Sequence, residues 1–214
     1  MSVNVYVDGF NFYYRLFKND HRKHRLPNRY KWLNLLRLSE LLVPNVTIHR
    51  IGYFTAYIRP NPSDPDQQVR QRAYIEALKT LPCLEVVAGN FLSVKKWGVP
   101  VGVSAAKPIL FDTYEEKGSD VNLACRLVRD ACRQDCTKAL VISNDGDLAE
   151  AIRIVTREMN VPVLVRSPDV TVNNVLRAVA TDARILDTKL LKRCQFPATL
   201  TNADGIVISK PARW

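Results

Sequence analysis

Long apolar runs are missing from this chain. No stretch of the 214 residues approaches the roughly 20 consecutive apolar residues of a membrane-spanning helix, which excludes a helical membrane protein. Paired CxxC motifs are missing too. The five cysteines, Cys83, Cys125, Cys132, Cys136 and Cys194, are odd in number. Cys132 and Cys136 stand four apart, but no Cys/His pair accompanies them, so a zinc site is disfavoured. The expected state is that of reduced, mostly buried thiols. No internal repeat and no low-complexity tract is present. The opening "MSVNVYVDGF" lacks the basic start of a signal peptide and runs directly into a strand pattern. The expected location is the cytoplasm.

What is present is enough apolar material for a substantial core: 47% hydrophobic against 24% charged residues, over a length that suits one domain. The net charge of +10 is unevenly spread. Residues 1–60 hold ten Lys/Arg against three Asp/Glu, a net of +7, whereas residues 111–160 hold seven against ten, a net of −3. A basic body around an acidic island suits a protein that attracts a polyanion and holds a cation at one spot.

Hydrophobic periodicity alternates between strand and helix. "VNVYV" (3–7) reads as a buried strand ending in Asp8-Gly9, and Phe10, Tyr13, Tyr14 and Phe17 follow at helical spacing. Residues 18–31 read as a basic loop, 32–42 as a helix and 46–58 as a strand. Residues 67–80 read as a helix capped by Asp64 or Asp66. Strands around 84–94 and 108–118 lead into a helix from Ser119-Asp120 to about Gln134, with Ala124, Leu127, Val128 and Ala131 on one stripe. "KALVISN", "VPVLVR" and "ARILD" are strands separated by helices at 147–158 and 171–180. This alternation predicts an α/β fold of three layers, α/β/α, with a mainly parallel central sheet. It occupies residues 1–190, and 191–214 form an irregular extension packed on or trailing from the domain.

In open α/β sheets, ligands bind beyond the carboxyl ends of the strands. Four aspartates fall there: Asp8 after the first strand, Asp120 opening a helix just after the strand 108–114, and Asp145 and Asp147 after "KALVISN". Each alone has a plain structural reading as a turn or N-cap residue. Together they suit a hard divalent cation, Mg²⁺ or Mn²⁺, because crowded carboxylates stay ionised only beside positive charge. No His or Cys sits in these segments, which again disfavours zinc.

"VNVYVDGFNFYY", "YEEKGSDVNLACRLV" and "ALVISNDGDLAEAI", in that order, resemble the three signature segments of the NYN domain family, relatives of PIN-like and FLAP-nuclease-like proteins. The tail ending "ISKPARW" is similar to that of one bacterial subgroup. The resemblance implies a PIN-like fold and a metal-dependent endoribonuclease that hydrolyses RNA to 5′-phosphate and 3′-hydroxyl ends. By position it makes Asp8, Asp120, Asp145 and Asp147 the catalytic and metal-site acids. It assigns Asn11, Ser143 and Asn144 to positioning or substrate contact. Many family members carry a further Asp six residues after the one at Asp120; here that position is Arg126, which removes a ligand and offers a guanidinium to substrate instead. Glu116, near the same edge, is a possible replacement.

Arg22, Lys23 and Arg25, in "KNDHRKHRLPNRYK", are expected RNA-phosphate contacts, with Tyr30 or Trp32 available to stack a base; a solvated loop is the alternative. "KKW" (95–97) is a second candidate contact, and Arg126, Arg129 and Arg133 form one basic helix face. Three functions compete: an RNA hydrolase, an RNA-binding module that has lost turnover, and a phosphatase for small esters. Against the last, "VDGFN" lacks a second Asp two residues after the first. A homo-oligomer is not indicated.

Overall fold

The structure is a computed structural model describing residues 2–18, 26–102 and 107–214. Seven strands form one sheet in the order β4-β3-β2-β1-β5-β6-β7. They are β1 (Ser2–Asp8), β2 (Thr47–Ala56), β3 (Leu84–Gly98), β4 (Ile109–Lys117), β5 (Lys138–Ile142), β6 (Val163–Ser167) and β7 (Asp182–Ile185). Every neighbouring pair is parallel except β3–β4, an antiparallel hairpin at one edge. The expectation of a three-layer, mainly parallel α/β/α fold is met.

The central strand β1 is buried almost throughout, and its side chains alternate between two cores. Val3, Val5 and Val7 join Leu140 and Ile142 of β5 on one face. There they meet α1 (Gly9–Tyr13), α2 (Leu35–Leu42) and α3 (Gln67–Lys79) through residues such as Phe12, Leu38, Tyr74 and Leu78. Tyr6 points to the other face, with Ala139 and Val141. That face is covered by α4 (Ser119–Cys132), α5 (Ala149–Arg153) and α6 (Asn174–Val179), which contribute Leu123, Leu127, Ile152 and Leu176. Burial on both faces is why these strands read as continuous apolar runs rather than alternating ones.

Several local expectations need correction. Neither Asp64 nor Asp66 caps α3 with its side chain: Asp66 makes no such bond, and the Asp64 carboxylate pairs with Arg70 and Arg213. The helix expected at 147–158 is a 3₁₀ turn (Gly146–Leu148), α5, and a π turn (Ile154–Glu158). Cys125 and Cys132 are exposed, so the thiols are not mostly buried. Residues 191–214, expected as an irregular extension, are not irregular throughout: after a 3₁₀ segment (Thr188–Cys194) they form the hairpin β8–β9 (Thr199–Thr201, Val207–Ser209), and Leu191, Cys194, Phe196 and Ile208 join the first core. Among the described residues no helix is long and apolar enough to cross a membrane.

Strand order has a direct consequence for ligand binding. From β1 the chain moves outward through β2 and β3, then returns to place β5 on the opposite side of β1 and continues to β6 and β7. The β1/β5 boundary is therefore the switch point, where the flanking connections part and leave a crevice at the carboxyl ends.

Candidate metal centre

Asp8 ends β1 and Asp145 follows β5, so the switch point brings them together although 137 positions separate them. Asp120 arrives from the first turn of α4. Gly118 makes that arrival possible: its φ of 98° is a left-handed conformation that turns the chain sharply out of β4. One carboxylate oxygen from each of Asp8, Asp120 and Asp145 lies within 4.8 Å of the others. They open onto a pocket of about 520 Å³, also lined by Phe10, Asn11, Tyr14, Arg15, Phe91 and Glu116.

The local turns explain how the acids are held. Asp8 is the N-cap of α1, its Oδ1 accepting from the Asn11 N–H at 2.9 Å. Its Oδ2 accepts from the Ser143 hydroxyl at 2.9 Å. That hydroxyl oxygen in turn accepts from the Asp145 N–H at 3.0 Å. Asp145 caps the 3₁₀ turn through its Oδ1, which accepts from the Asp147 N–H at 3.1 Å. The turn-and-cap reading and the metal reading of these aspartates are thus compatible. Each carboxylate oxygen has two lone pairs, and the cap bonds orient the group without exhausting it.

Electrostatics in the cluster are adverse. Burial pushes the Asp8 carboxyl up to about 7; the Asn11 and Ser143 bonds oppose the rise, and Asp120 and Asp145 add to it. Asp120 is also raised, first by burial and then by Asp145, Glu116 and Asp147. A divalent cation is what would let all three ionise together. The donor set is entirely carboxylate oxygen, so the residues fit Mg²⁺ or Mn²⁺ rather than a soft metal.

The other sequence candidates are sorted differently. Asp147 is exposed and outside the three-acid cluster, although near enough to act on Asp120. Asn11 lines the pocket and braces it, its Oδ1 accepting from the Asn144 N–H at 3.0 Å. Ser143 and Asn144 are buried and hold neighbours: the Asn144 side chain accepts from the Asn173 N–H at 2.7 Å. They are positioning residues rather than pocket walls. Arg126 does not line the pocket. Its guanidinium makes a bidentate pair with Glu85 near the start of β3, at 2.7 and 3.1 Å, which also lowers the Glu85 carboxyl. Arg129 is likewise engaged, with Asp130, whereas Arg133 is exposed at the end of α4. Trp32 is fully buried, donating to the Pro197 carbonyl at 2.7 Å, and cannot stack a base. Trp97 is 71% exposed on the β3–β4 hairpin. Arg22, Lys23 and Arg25, with His21 and His24, lie outside the described residues.

Sequence reasoning missed Arg15, Tyr14, Phe10 and Phe91 as pocket residues. Arg15 lies one helical turn beyond Asn11, a spacing that offered a usable signal; its guanidinium pairs with Asp169 at 2.9 Å. Phe91 gave no signal, because only the β3–β4 hairpin brings it edge-on to Phe10.

Gly89 on β3 supports the same corner. A Cβ there would sit 2.5 Å from Glu116 Oε1 and 2.6 Å from the Lys117 carbonyl. Gly89→Ala should therefore push back the turn that delivers Asp120. We expect a loss of about 1–3 kcal/mol of stability and weaker Mn²⁺ binding, read by thermal melts and titration. Gly98→Ala, whose Cβ meets only the Phe111 side chain, serves as the control and should leave Mn²⁺ binding unchanged.

No protein-family model matches the chain. The chain is 25% identical, over its full length and 75% of the relative, to the 6-hydroxy-3-succinoylpyridine 3-monooxygenase HspA of Pseudomonas putida. A crystal structure of a Vibrio parahaemolyticus protein of unknown function is similar in fold, with a TM-score of 0.54 at 15% identity over 87% of this chain and 93% of that one.

Proposed function

We propose that the protein is a metal-dependent endoribonuclease of NYN type. The observation that carries this reading is the convergence of Asp8, Asp120 and Asp145 at the sheet's switch point, in an open pocket. The order and context of the three NYN-like segments support it, as do the basic balance of the chain and its acidic island. Asp8, Asp120 and Asp145 hold Mg²⁺ or Mn²⁺, which when bound supplies Lewis-acid stabilisation and an acidified water. The Asn11 N–H and the Ser143 hydroxyl keep Asp8 oriented. Arg15, at the pocket wall, gives Nη1 to Asp169 and leaves the rest of its 41% exposed side chain for a phosphate, while Phe10, Tyr14 and Phe91 offer ring faces to a base. The Arg126 guanidinium is held by Glu85 and does not line the pocket, which speaks against its expected contact with substrate.

The test is cleavage of total cellular RNA by wild type and Asp145→Asn, each with and without Mn²⁺. Mn²⁺-dependent cleavage that falls at least 100-fold in the variant is expected. Cleavage that ignores both metal and substitution would sink the proposal. RNA binding without cleavage, surviving the substitution, would select the binding module.

A second reading follows from the full-length similarity to a monooxygenase. In it the chain acts on a small ring-bearing molecule rather than on RNA. Oxygen uptake on addition of 6-hydroxy-3-succinoylpyridine and a reductant, with no action on RNA, would favour it.

A further inference from the structure

Next to the acidic pocket, and sharing Phe10 and Tyr14 with it, lies a second, more enclosed chamber. Its walls include Tyr13, Phe17, Leu33, Tyr53, Tyr74 and Trp214, and its volume is about 70 Å³. That is about half the volume of a roughly 150 Å³ apolar cavity that admits benzene, so the chamber takes one edge of a planar ring and the mouth beside it takes the rest. Its walls are already fixed. The Tyr74 hydroxyl donates to the Leu33 carbonyl at 2.9 Å, and the Tyr74 ring meets those of Tyr53 and Trp214 edge-on at 6.2 and 5.9 Å. The chamber adjoins a polar mouth of about 430 Å³ that shares Tyr13, Phe17, Lys31, Gln67, Arg70 and Trp214.

The charges at this junction do not balance. Lys31 is buried, donates to the Tyr13 hydroxyl at 3.1 Å, and lies 5.0, 5.7 and 5.9 Å from the ring centres of Tyr13, Phe17 and Trp214. Among the described residues it pairs with no carboxylate. Burial, with Lys18 and Arg70 adding to it, pulls its ammonium down to about 8. Arg70 gives one Nη to Asp64, which it shares with Arg213, while its Nη1 is buried with no hydrogen-bond partner. Asp64 is thus the one carboxylate lining the chamber or its mouth among the described residues, facing Lys18, Lys31, Arg70 and Arg213. A buried, unsatisfied guanidinium N–H is costly and calls for an acceptor. Planar carboxylates match guanidinium geometry best.

We propose that this chamber and its mouth bind a monocyclic aromatic carboxylate, with the ring among Tyr13, Tyr53, Tyr74 and Trp214 and the carboxylate on Arg70 and Lys31. The site adjoins the acidic pocket but contains none of its carboxylates, and it does not depend on the ribonuclease reading. The ring replaces water against apolar walls, and the carboxylate satisfies the orphaned Nη1 while neutralising the excess cation.

Calorimetric titration of the full chain with benzoate and 3-phenylpropionate tests the proposal, with benzamide and acetate as comparators. At least one aryl carboxylate should bind saturably and at least tenfold tighter than either comparator. Arg70→Gln and Lys31→Met should each weaken it at least tenfold, and Arg153→Gln, which removes a cation from α5 on the other face of the sheet, should bind as wild type does. Should Arg70→Gln fail to fold, Lys31→Met decides. Benzamide binding as tightly as the aryl carboxylates would overturn the proposal, as would undiminished binding by folded Lys31→Met. So would the absence of saturable binding by folded wild type, which would leave water as the acceptor for Arg70.

Discussion

Asp8→Asn should make the metal-free protein more stable and at the same time abolish its response to Mn²⁺. Asp8 is 3% exposed, and its carboxyl is raised to about 7 from an ordinary value of 3.8. In the unfolded chain it ionises near pH 4, while in the folded chain it stays protonated until about pH 7. Stability is therefore complete below pH 4, declines as pH rises toward 7, and stays low above that. The rise corresponds to on the order of 4 kcal/mol as an upper bound, which relaxation of the site reduces. Asparagine keeps an acceptor for the Asn11 N–H but carries no charge, so it escapes the decline. At pH 8 without metal, a melting temperature roughly 4–10 °C above wild type is expected; at pH 4 the two should coincide. Saturating Mn²⁺ should stabilise wild type by about 2.7 kcal/mol at 100 times Kd and the variant by little. Identical melts across pH 4–8, or equal Mn²⁺ stabilisation of both proteins, would show that Asp8 is neither strained nor a ligand.

Asp130→Ala should be the most destabilising single truncation away from the acidic pocket. Asp130 is fully buried on α4 and holds four groups from three directions. Its Oδ2 accepts from the Tyr6 hydroxyl at 3.0 Å and the Asn4 amide at 3.5 Å. Arg129 bonds its Oδ1 at 2.7 Å, and Arg50 lies 3.6 Å away. Alanine leaves the Tyr6 hydroxyl and the Asn4 amide without this acceptor in an interior that water does not reach, while the Arg129 and Arg50 side chains, 40% and 33% exposed, turn to solvent. Leaving buried donors unsatisfied costs about 1–3 kcal/mol each, which lowers the melting temperature by roughly 4–15 °C. Asp130→Asn, which keeps an acceptor for Tyr6, should lose less than half as much. Mn²⁺ binding should be unchanged in both, since Asp130 lies ten residues, about 15 Å of helix, from Asp120. A change in Mn²⁺ affinity would mean that the Asp130 network reaches the pocket.

Asp130 also illustrates what sequence reading overlooks. The stripe of Ala124, Leu127, Val128 and Ala131 marks the buried face of α4, but no local pattern marks Asp130 beside it as internal. It is internal because Tyr6 and Asn4 of β1 supply the donors that make a buried carboxylate tolerable. Arg126 is the converse case. Its position in a motif suggested substrate, and its partner is Glu85, 41 residues away, which no local pattern names.

The sequence by itself determined the α/β class, the strand and helix alternation, and the placement of Asp8, Asp120 and Asp145 just after strands. Those features are local: burial on both faces writes continuous apolar runs, and turns after strands favour Asp and Gly. Tertiary structure alone decided strand order, and with it the switch point at β1/β5 that makes three scattered acids one cluster while leaving Asp147 outside. It also decided that residues 188–214 fold back, bringing Trp214 onto Trp32, Tyr74 and Lys31 and completing the aromatic chamber. Such pairings join residues far apart in the chain, and their energy depends on which surfaces remain to be covered once the sheet has formed. Periodicity reports that a face is apolar; only packing selects what covers it.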